Sequence, residues 1–239
     1  MSVSELRLHG PEGGPAVILS NALGTTSVVW EAQLPALAVR HRVLTYEPTA
    51  RPTVEGLAKD VLELATRVGF HRFSFCGLSL GAMVGIRLAI SAPERIDRLV
   101  LACTSARFGA PAEWRDRASL VRARGMQAVA PDALEKWFTP AYVDREPFVD
   151  MQLATPAEDY ALGLEAIGGF DARGELASVD APTLVVSGAE DTATPPADGA
   201  YLAERIPRAR LVVIPDAAHL ANVERADPFN EAVLEHLAR

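Results

Sequence analysis

The stretch FCGLSLGAMVG, residues 75–85, interrupts an apolar run with a serine that has a glycine two positions away on each side. It follows a strand-like run at 72–76 and leads directly into a helical pattern at 80–92. Gly-x-Ser-x-Gly between a strand and a helix is typical of a tight elbow, in which the strained serine leaves its neighbours no room for a Cβ. The elbow predicts that Ser79 is a nucleophile. A glycine-lined turn with a helix-capping serine is the alternative.

Six short runs are apolar throughout instead of alternating with polar residues, which is the pattern of strands covered on both faces. They lie at residues 16–20, 42–46, 72–76, 98–103, 183–187 and 211–214. Helical periodicity occurs between them, most clearly at 54–69 and 80–92. The alternation predicts an α/β fold with a mostly parallel sheet flanked by helices.

The strand pattern stops between Gly109 and Ser178, where prolines separate several helical pieces. A helical insertion between two strands of one sheet lies over the strands' carboxyl ends, where open α/β sheets bind ligands. We therefore predict a helical cap at 109–178 between two parts of one core, 1–108 and 179–239. A second helical layer without a role in ligand binding is the alternative.

Composition excludes several classes of protein. The 239 residues carry a formal net charge of −8 with no run of Lys or Arg, which argues against a nucleic-acid partner. No apolar run reaches the roughly 18 residues of a membrane span, and the first twenty residues lack a signal-peptide pattern, so we expect a cytoplasmic protein without a membrane partner. Cys76 and Cys103 lie in apolar runs, as reduced core cysteines do. The five histidines lack zinc-type spacing, so no metal site is predicted.

A serine nucleophile requires a base that a third group orients. In this fold the acid and then the histidine follow the serine along the chain, each on a loop after a strand. Asp191 ends the segment SGAED after one predicted strand, with Glu190 as its rival, and His219 ends the segment DAAH after the last strand. Taken singly, the aspartate could be a loop residue and the histidine a structural one.

The oxyanion of an acyl-transfer reaction also requires two hydrogen-bond donors. The N–H of Leu80 lies at a helix N-terminus, which favours negative charge. A second donor is expected in the turn LSNALGT after the first predicted strand, where the N–H of Leu23 is the best candidate and that of Ala22 the next. An ordinary strand-to-loop turn is the alternative at this position.

Several segments together resemble one family. LSNALGTT, FCGLSLGAMVG, RLVLACTSARFG, WFTPAY, APTLVVSGAEDTATPP and AAHLANVE are similar to the 3-oxoadipate enol-lactonases of the α/β-hydrolase fold, and the resemblance extends from about residue 19 to residue 237. It implies that Ser79, Asp191 and His219 form a catalytic triad. It also implies hydrolysis of an enol-lactone to 3-oxoadipate, in the degradation of aromatic compounds.

The chain departs from this family after Tyr46. The family usually has an Asp and then an Arg-Gly-His-Gly-type loop there, whereas the segment EPTARP, residues 47–52, leads straight into the next helix. That loop helps to shape the floor of the acyl pocket, so we expect a different floor here. In the cap, Trp137, Phe138 and Met126 are expected to line the lactone pocket, and packing within the cap is the alternative.

The predicted reaction is acyl transfer to water and requires no cofactor. Its partner is a small lactone or ester, and a homo-oligomer is compatible with the sequence. A carboxylesterase, another lactonase and a cofactor-free peroxidase are alternatives on the same fold. A ligand-binding relative that has lost turnover is an alternative of another class. The serine excludes a dehalogenase that uses an aspartate nucleophile.

Overall fold

A seven-stranded sheet forms the centre of the protein, whose computed structural model describes residues 5–238. The strands are β1 (Leu6–His9), β2 (Ala16–Ser20), β3 (Arg42–Tyr46), β4 (Phe73–Leu78), β5 (Ile96–Ala102), β6 (Thr183–Gly188) and β7 (Ala209–Ile214). Their order across the sheet is β1-β3-β2-β4-β5-β6-β7. Only β1 runs antiparallel to its neighbour; β2 to β7 are parallel in their pairings. The predicted α/β fold is therefore confirmed.

The six predicted strands are all present, with ends that differ by one or two residues. The edge strand β1 was not predicted. Its four residues are half-buried or exposed, so they carry no continuous apolar signal. The strand exists because its backbone pairs with β3, with Leu6 opposite Tyr46 and His9 opposite Val43, and the sequence of 6–9 does not reveal that pairing.

Ten α-helices accompany the sheet within the described residues. They are α1 (Leu34–Leu37), α2 (Val54–Arg67), α3 (Leu80–Ser91), α4 (Pro111–Arg124), α5 (Ala130–Trp137), α6 (Glu146–Ala154), α7 (Ala157–Gly169), α8 (Pro196–Arg205), α9 (Ala221–Glu224) and α10 (Ala226–Ala238). The start of α2 illustrates local control: the Thr53 side chain accepts a hydrogen bond from the Gly56 N–H at 3.1 Å, which satisfies a free donor of the first turn. Gly69 follows that helix with a φ of 79°, a conformation that favours glycine.

Two apolar clusters cover the two faces of the sheet. One packs α2 and α3 against Phe73 and Phe75, and the other packs α10 against Trp30 through Phe229. Strands β2 to β6 are buried along most of their length, which explains why their sequences are apolar at consecutive positions, whereas β7 is mostly half-buried.

Helices α4 to α7 lie between β5 and β6, inside the predicted cap at 109–178. Helices α4 and α7 pack on each other, and their small cluster includes Ala118, Val121 and Leu164.

The predicted domain division covers residues 1–239, of which residues 1–4 and 239 lie outside the described residues. Within residues 5–238, no helix is long and apolar enough to cross a membrane.

Candidate active site

The elbow at Ser79 has the backbone that its sequence predicts. Ser79 joins β4 to α3 with a φ of 55° and a ψ of −113°, which is a strained conformation for a residue with a side chain. A Cβ on Gly77 would overlap the carbonyl of Gly81, and a Cβ on Gly81 would overlap the carbonyl of Ser20. Both flanking glycines are therefore required by close backbone contacts.

A chain of hydrogen bonds joins three buried polar side chains at this elbow. His219 Nε2 lies 2.9 Å from Ser79 Oγ, and His219 Nδ1 lies 2.8 Å from Asp191 Oδ2. The three residues are 3–6% exposed, so water competes little with these contacts. They follow β4, β6 and β7 at the carboxyl ends of the parallel strands, where the topology brings distant loops together.

The Asp191 carboxylate is held by several donors besides the imidazole. Its Oδ1 accepts hydrogen bonds from the N–H groups of Ala193 and Thr194 at 2.8 and 2.9 Å, and its Oδ2 accepts one from the Thr194 hydroxyl at 2.7 Å. Burial acts to raise the pKa of Asp191, but the attraction of His219 and these hydrogen bonds outweigh burial and lower the pKa. The carboxylate is therefore kept ionised and fixed in direction.

Glu190, the rival of Asp191, is exposed to solvent. Its backbone N–H donates to the carbonyl of Ala217 at 2.9 Å, which ties the β6 loop to the loop that carries His219. The structure brings Asp191, and not Glu190, to the imidazole.

Two backbone N–H groups near the serine are available as donors. Within residues 5–238, neither the N–H of Leu80 nor that of Leu23 makes a hydrogen bond. Leu80 is the first residue of α3, so its N–H lies at the positive end of a helix. Leu23 follows β2 and lines the same cavity as Ser79 and His219.

That cavity, here called the Ser79 cavity, has a volume of about 370 Å³. Besides Ser79 and His219, its lining includes apolar and charged side chains: Leu23, Trp114, Trp137, Leu164, Ile167, Glu113, Arg117 and Lys136. Arg117 Nη1 lies 2.8 Å from Asp132 Oδ2, and Lys136 Nζ lies 3.5 Å from the same oxygen. These two cations hold the pKa of the Asp132 carboxyl below its usual value. The cavity thus combines apolar walls with two cations and one carboxylate.

Of the three cap residues predicted to line the pocket, the structure places Trp137 on the Ser79 cavity and the other two elsewhere. Phe138 is 2% exposed, stacks on Tyr142 with ring centroids 4.4 Å apart, and meets Phe148 edge-on. Met126 is 3% exposed within the cluster between α4 and α7. Both pack among apolar side chains, because residues of the helical insertion also have to bury surface against their neighbours.

Sequence reasoning missed three residues at this site. Thr194 contacts both Asp191 and, at 3.3 Å, His219 Nδ1. Its position three residues after an aspartate is a turn-like spacing that could have indicated it. Arg117 and Tyr160 also line the cavity, but no local pattern distinguishes them from other cap residues.

The short segment after β3 lines a second cavity, here called the loop cavity. Its volume is about 730 Å³, and Glu47, Pro48, Thr49, Ala50 and Arg51 all contribute to its wall. Leu80 and Gly81 of the elbow line it too. The short segment therefore borders a large opening that reaches the residues directly after Ser79.

None of the described residues forms a cluster of three or more His, Cys, Asp or Glu side chains that could hold a metal ion. The chemistry available at the site comes from the serine, the imidazole, the carboxylate and the backbone donors. This arrangement can activate a hydroxyl for attack on a carbonyl carbon.

Comparison with known proteins agrees with the fold. The model of the alpha/beta hydrolase family matches residues 8–232. The 3-oxoadipate enol-lactonase 2 of Acinetobacter baylyi is 34% identical over 238 residues, with 94% of this chain and 89% of that protein covered. A pimeloyl-(acyl-carrier protein) methyl ester esterase of Nitrosomonas europaea is 28% identical, with 91% of this chain and 93% of that protein covered. Among solved structures, the enol-lactonase from Burkholderia xenovorans LB400 has a TM-score of 0.94 and 39% identity, covering 98% of this chain and 96% of its own.

The chain belongs to the alpha/beta hydrolase family. It is a hydrolase, and the resemblance to the 3-oxoadipate enol-lactonases that its motifs predict is confirmed over nearly the whole chain.

Proposed function

We propose that this hydrolase opens an enol-lactone ring through an acyl-serine intermediate, with 3-oxoadipate enol-lactone as its substrate. The observation that carries the proposal is the hydrogen-bonded series Ser79–His219–Asp191 at the wall of a cavity. Similarity to enol-lactonases of two organisms supports the choice of substrate.

In the first step His219 Nε2 takes the proton of Ser79 while Oγ attacks the lactone carbonyl. Asp191 holds the imidazole in the tautomer that leaves Nε2 free and stabilises the imidazolium that forms. The N–H groups of Leu80 and Leu23 receive the developing oxyanion, and a good donor of this kind is worth about 3–4 kcal/mol. Collapse of the intermediate breaks the ring C–O bond. The enolate leaves readily and takes up the proton of the His219 imidazolium, which returns the imidazole to its neutral form for the second step.

In the second step His219 takes a proton from water, which attacks the acyl-serine carbonyl. The second tetrahedral intermediate expels Ser79 Oγ, which regains its proton from the imidazolium. The products are a carboxylic acid and the free enzyme. Every proton passes through His219, so no metal or cofactor takes part in the proposed steps.

The charges of the Ser79 cavity support an acidic substrate. 3-Oxoadipate is a dicarboxylic acid, so its enol-lactone keeps one free carboxylate. Arg117 and Lys136 line the cavity and provide cations for such a group, and a guanidinium suits a carboxylate because its paired N–H donors match the two oxygens.

The test is hydrolysis of 3-oxoadipate enol-lactone by the purified protein and by Ser79→Ala. We expect Ser79→Ala to lower kcat by several orders of magnitude, on the order of 10⁶ by analogy with other triad serines. Ser91→Ala, an exposed serine at the far end of α3, is the matched control and should retain full activity. Retention of more than about a tenth of the activity in Ser79→Ala would contradict the assignment of the nucleophile.

A carboxylesterase is the second candidate, favoured by the loop cavity and by the similarity to a methyl ester esterase. The two candidates share Ser79, so they are distinguished by substrate. Hydrolysis of p-nitrophenyl acetate that depends on Ser79, with no turnover of the enol-lactone, would favour the esterase.

A further inference from the structure

The loop cavity lies against the Ser79 cavity, and the two share a wall. Ala22 and Leu23 line both, and Leu80, directly after the serine, lines the loop cavity. The Leu23 side chain packs so closely on α7 that a Cβ at Gly163 would overlap it. The Leu23 side chain therefore lies at the boundary between the two cavities.

The loop cavity is large and mostly apolar. Its volume of about 730 Å³ is within the range of sites for small organic ligands, about 300–1,000 Å³. Its apolar lining comes from two walls. The core contributes Ala22, Leu23, Val28, Leu57 and Val84, and helix α6 with the residues after it contributes Pro147, Met151, Ala154 and Pro156. Such a lining favours burial of hydrocarbon.

The charged residues of the loop cavity are mainly acidic. Glu47, Asp60, Asp150 and Asp159 contribute carboxylates, and Arg51 is the cation among the lining residues. Arg51 makes two hydrogen bonds to the Asp60 carboxylate, at 2.7 and 2.9 Å, so its charge is already compensated. The charged residues of the lining therefore disfavour an anionic ligand group, and the apolar remainder of the lining favours an uncharged one.

We propose that the loop cavity is a subsite for the unbranched, uncharged acyl chain of an ester or lactone that reacts at Ser79. The inference rests on the proposed acyl transfer and extends it to substrates larger than the enol-lactone. A carbonyl carbon bound to Ser79 with its oxygen toward the N–H groups of Leu23 and Leu80 lies at the shared wall. The acyl chain continues from that carbon past the Leu23 side chain into the apolar space between residues 47–51 and α6.

The experiment compares p-nitrophenyl acetate with p-nitrophenyl octanoate. Each methylene moved from water to an apolar site is worth about fourfold, so two or three buried methylenes give the octanoate at least about a tenfold higher kcat/KM. Two variants fill the cavity from opposite walls: Ala50→Trp on the loop and Ala154→Trp at the end of α6. Each should lower kcat/KM for the octanoate at least about fivefold and leave the acetate within about twofold.

The matched control is Val39→Trp, because Val39 is 72% exposed and lines neither cavity. It should leave both substrates unchanged. Equal kcat/KM for the two esters in the native protein would overturn the proposal, as would octanoate turnover that both filling variants leave intact. The enol-lactone is not used, so failure of the proposed lactone substrate gives a different result from failure of the subsite.

A direct readout uses the protein labelled at Ser79 with a p-nitrophenyl octylphosphonate. A crystal structure with the octyl chain between residues 47–51 and α6 would support the subsite. An octyl chain in the Ser79 cavity, against Trp137, would refute it.

Discussion

Ser79 has a strained backbone conformation that is stabilised by the packing of the glycines on either side of it. Its φ of 55° is unfavourable for a serine, and the close approach of Gly77 and Gly81 to other backbone segments holds it in place. The hydroxyl then lies 2.9 Å from the imidazole. The glycines that this geometry requires are visible in the local sequence, which is why the elbow is predictable from eleven residues.

Asp191 is predicted to orient His219 through its buried contact at 2.8 Å. Asp191→Asn should lower kcat by about 10⁴, because an amide favours the wrong tautomer of the imidazole. Kinetics on any substrate that Ser79 hydrolyses measure the effect. The matched control is Glu190→Gln, one residue away and exposed, which should change kcat less than about twofold. A larger effect of Glu190→Gln would reassign the acid.

At the scale of elements, the positions of α4 to α7 decide what reaches the serine. Helix α4 carries Arg117, and α5 carries Lys136 and ends at Trp137; all three side chains line the Ser79 cavity. The prolines between the predicted strands indicate a helical insertion, but the packing of α4 on α7 decides which of its faces meets the cavity.

Arg117→Gln is predicted to weaken binding of an acidic lactone. The guanidinium is 27% exposed and is shared with Asp132, so we expect a KM increase of about tenfold for 3-oxoadipate enol-lactone with little change in kcat. The KM for p-nitrophenyl acetate, which has no carboxylate, should stay the same. Arg115→Gln on the exposed face of α4 is the control. A similar KM increase for both substrates would argue against recognition of the carboxylate.

At the scale of the whole molecule, a buried histidine outside the triad links stability to pH. His236 of α10 is 4% exposed, and burial, with the positive charges of Arg210 and Arg98, lowers its pKa to about 4. In the unfolded chain its pKa is about 6.5. The unfolded state therefore binds more protons between these values, and the folded state loses stability as pH falls from about 6.5 to about 4.

The free energy of unfolding should thus fall by up to about 3 kcal/mol through this residue over that interval. Urea denaturation of the native protein and of His236→Gln at pH 7 and pH 4.5 measures the effect, and the variant should have the smaller pH dependence. The control is His71→Gln at an exposed position. Equal pH dependence in the native protein and His236→Gln would mean that other groups dominate acid unfolding.

The sequence by itself determined the six apolar strands, the elbow and the order of Ser79, Asp191 and His219 along the chain. These features are visible in the local sequence. Burial on both faces makes consecutive positions apolar, and close backbone contacts, including that of Gly81 with Ser20, make glycine necessary on both sides of the serine. Chain order then follows from the family of folds to which such an elbow belongs.

Only the tertiary structure decided which groups meet across long distances in the chain. Strand β1 exists through its pairing with β3, Thr194 reaches His219 because two loops converge, and Trp137 lines the Ser79 cavity while Phe138 packs inside the cap. The loop cavity likewise depends on where α6 stands relative to residues 47–51. The direction of a side chain such as Trp137, and the volume of a cavity, result from packing between elements that are distant in sequence. No local sequence pattern encodes them.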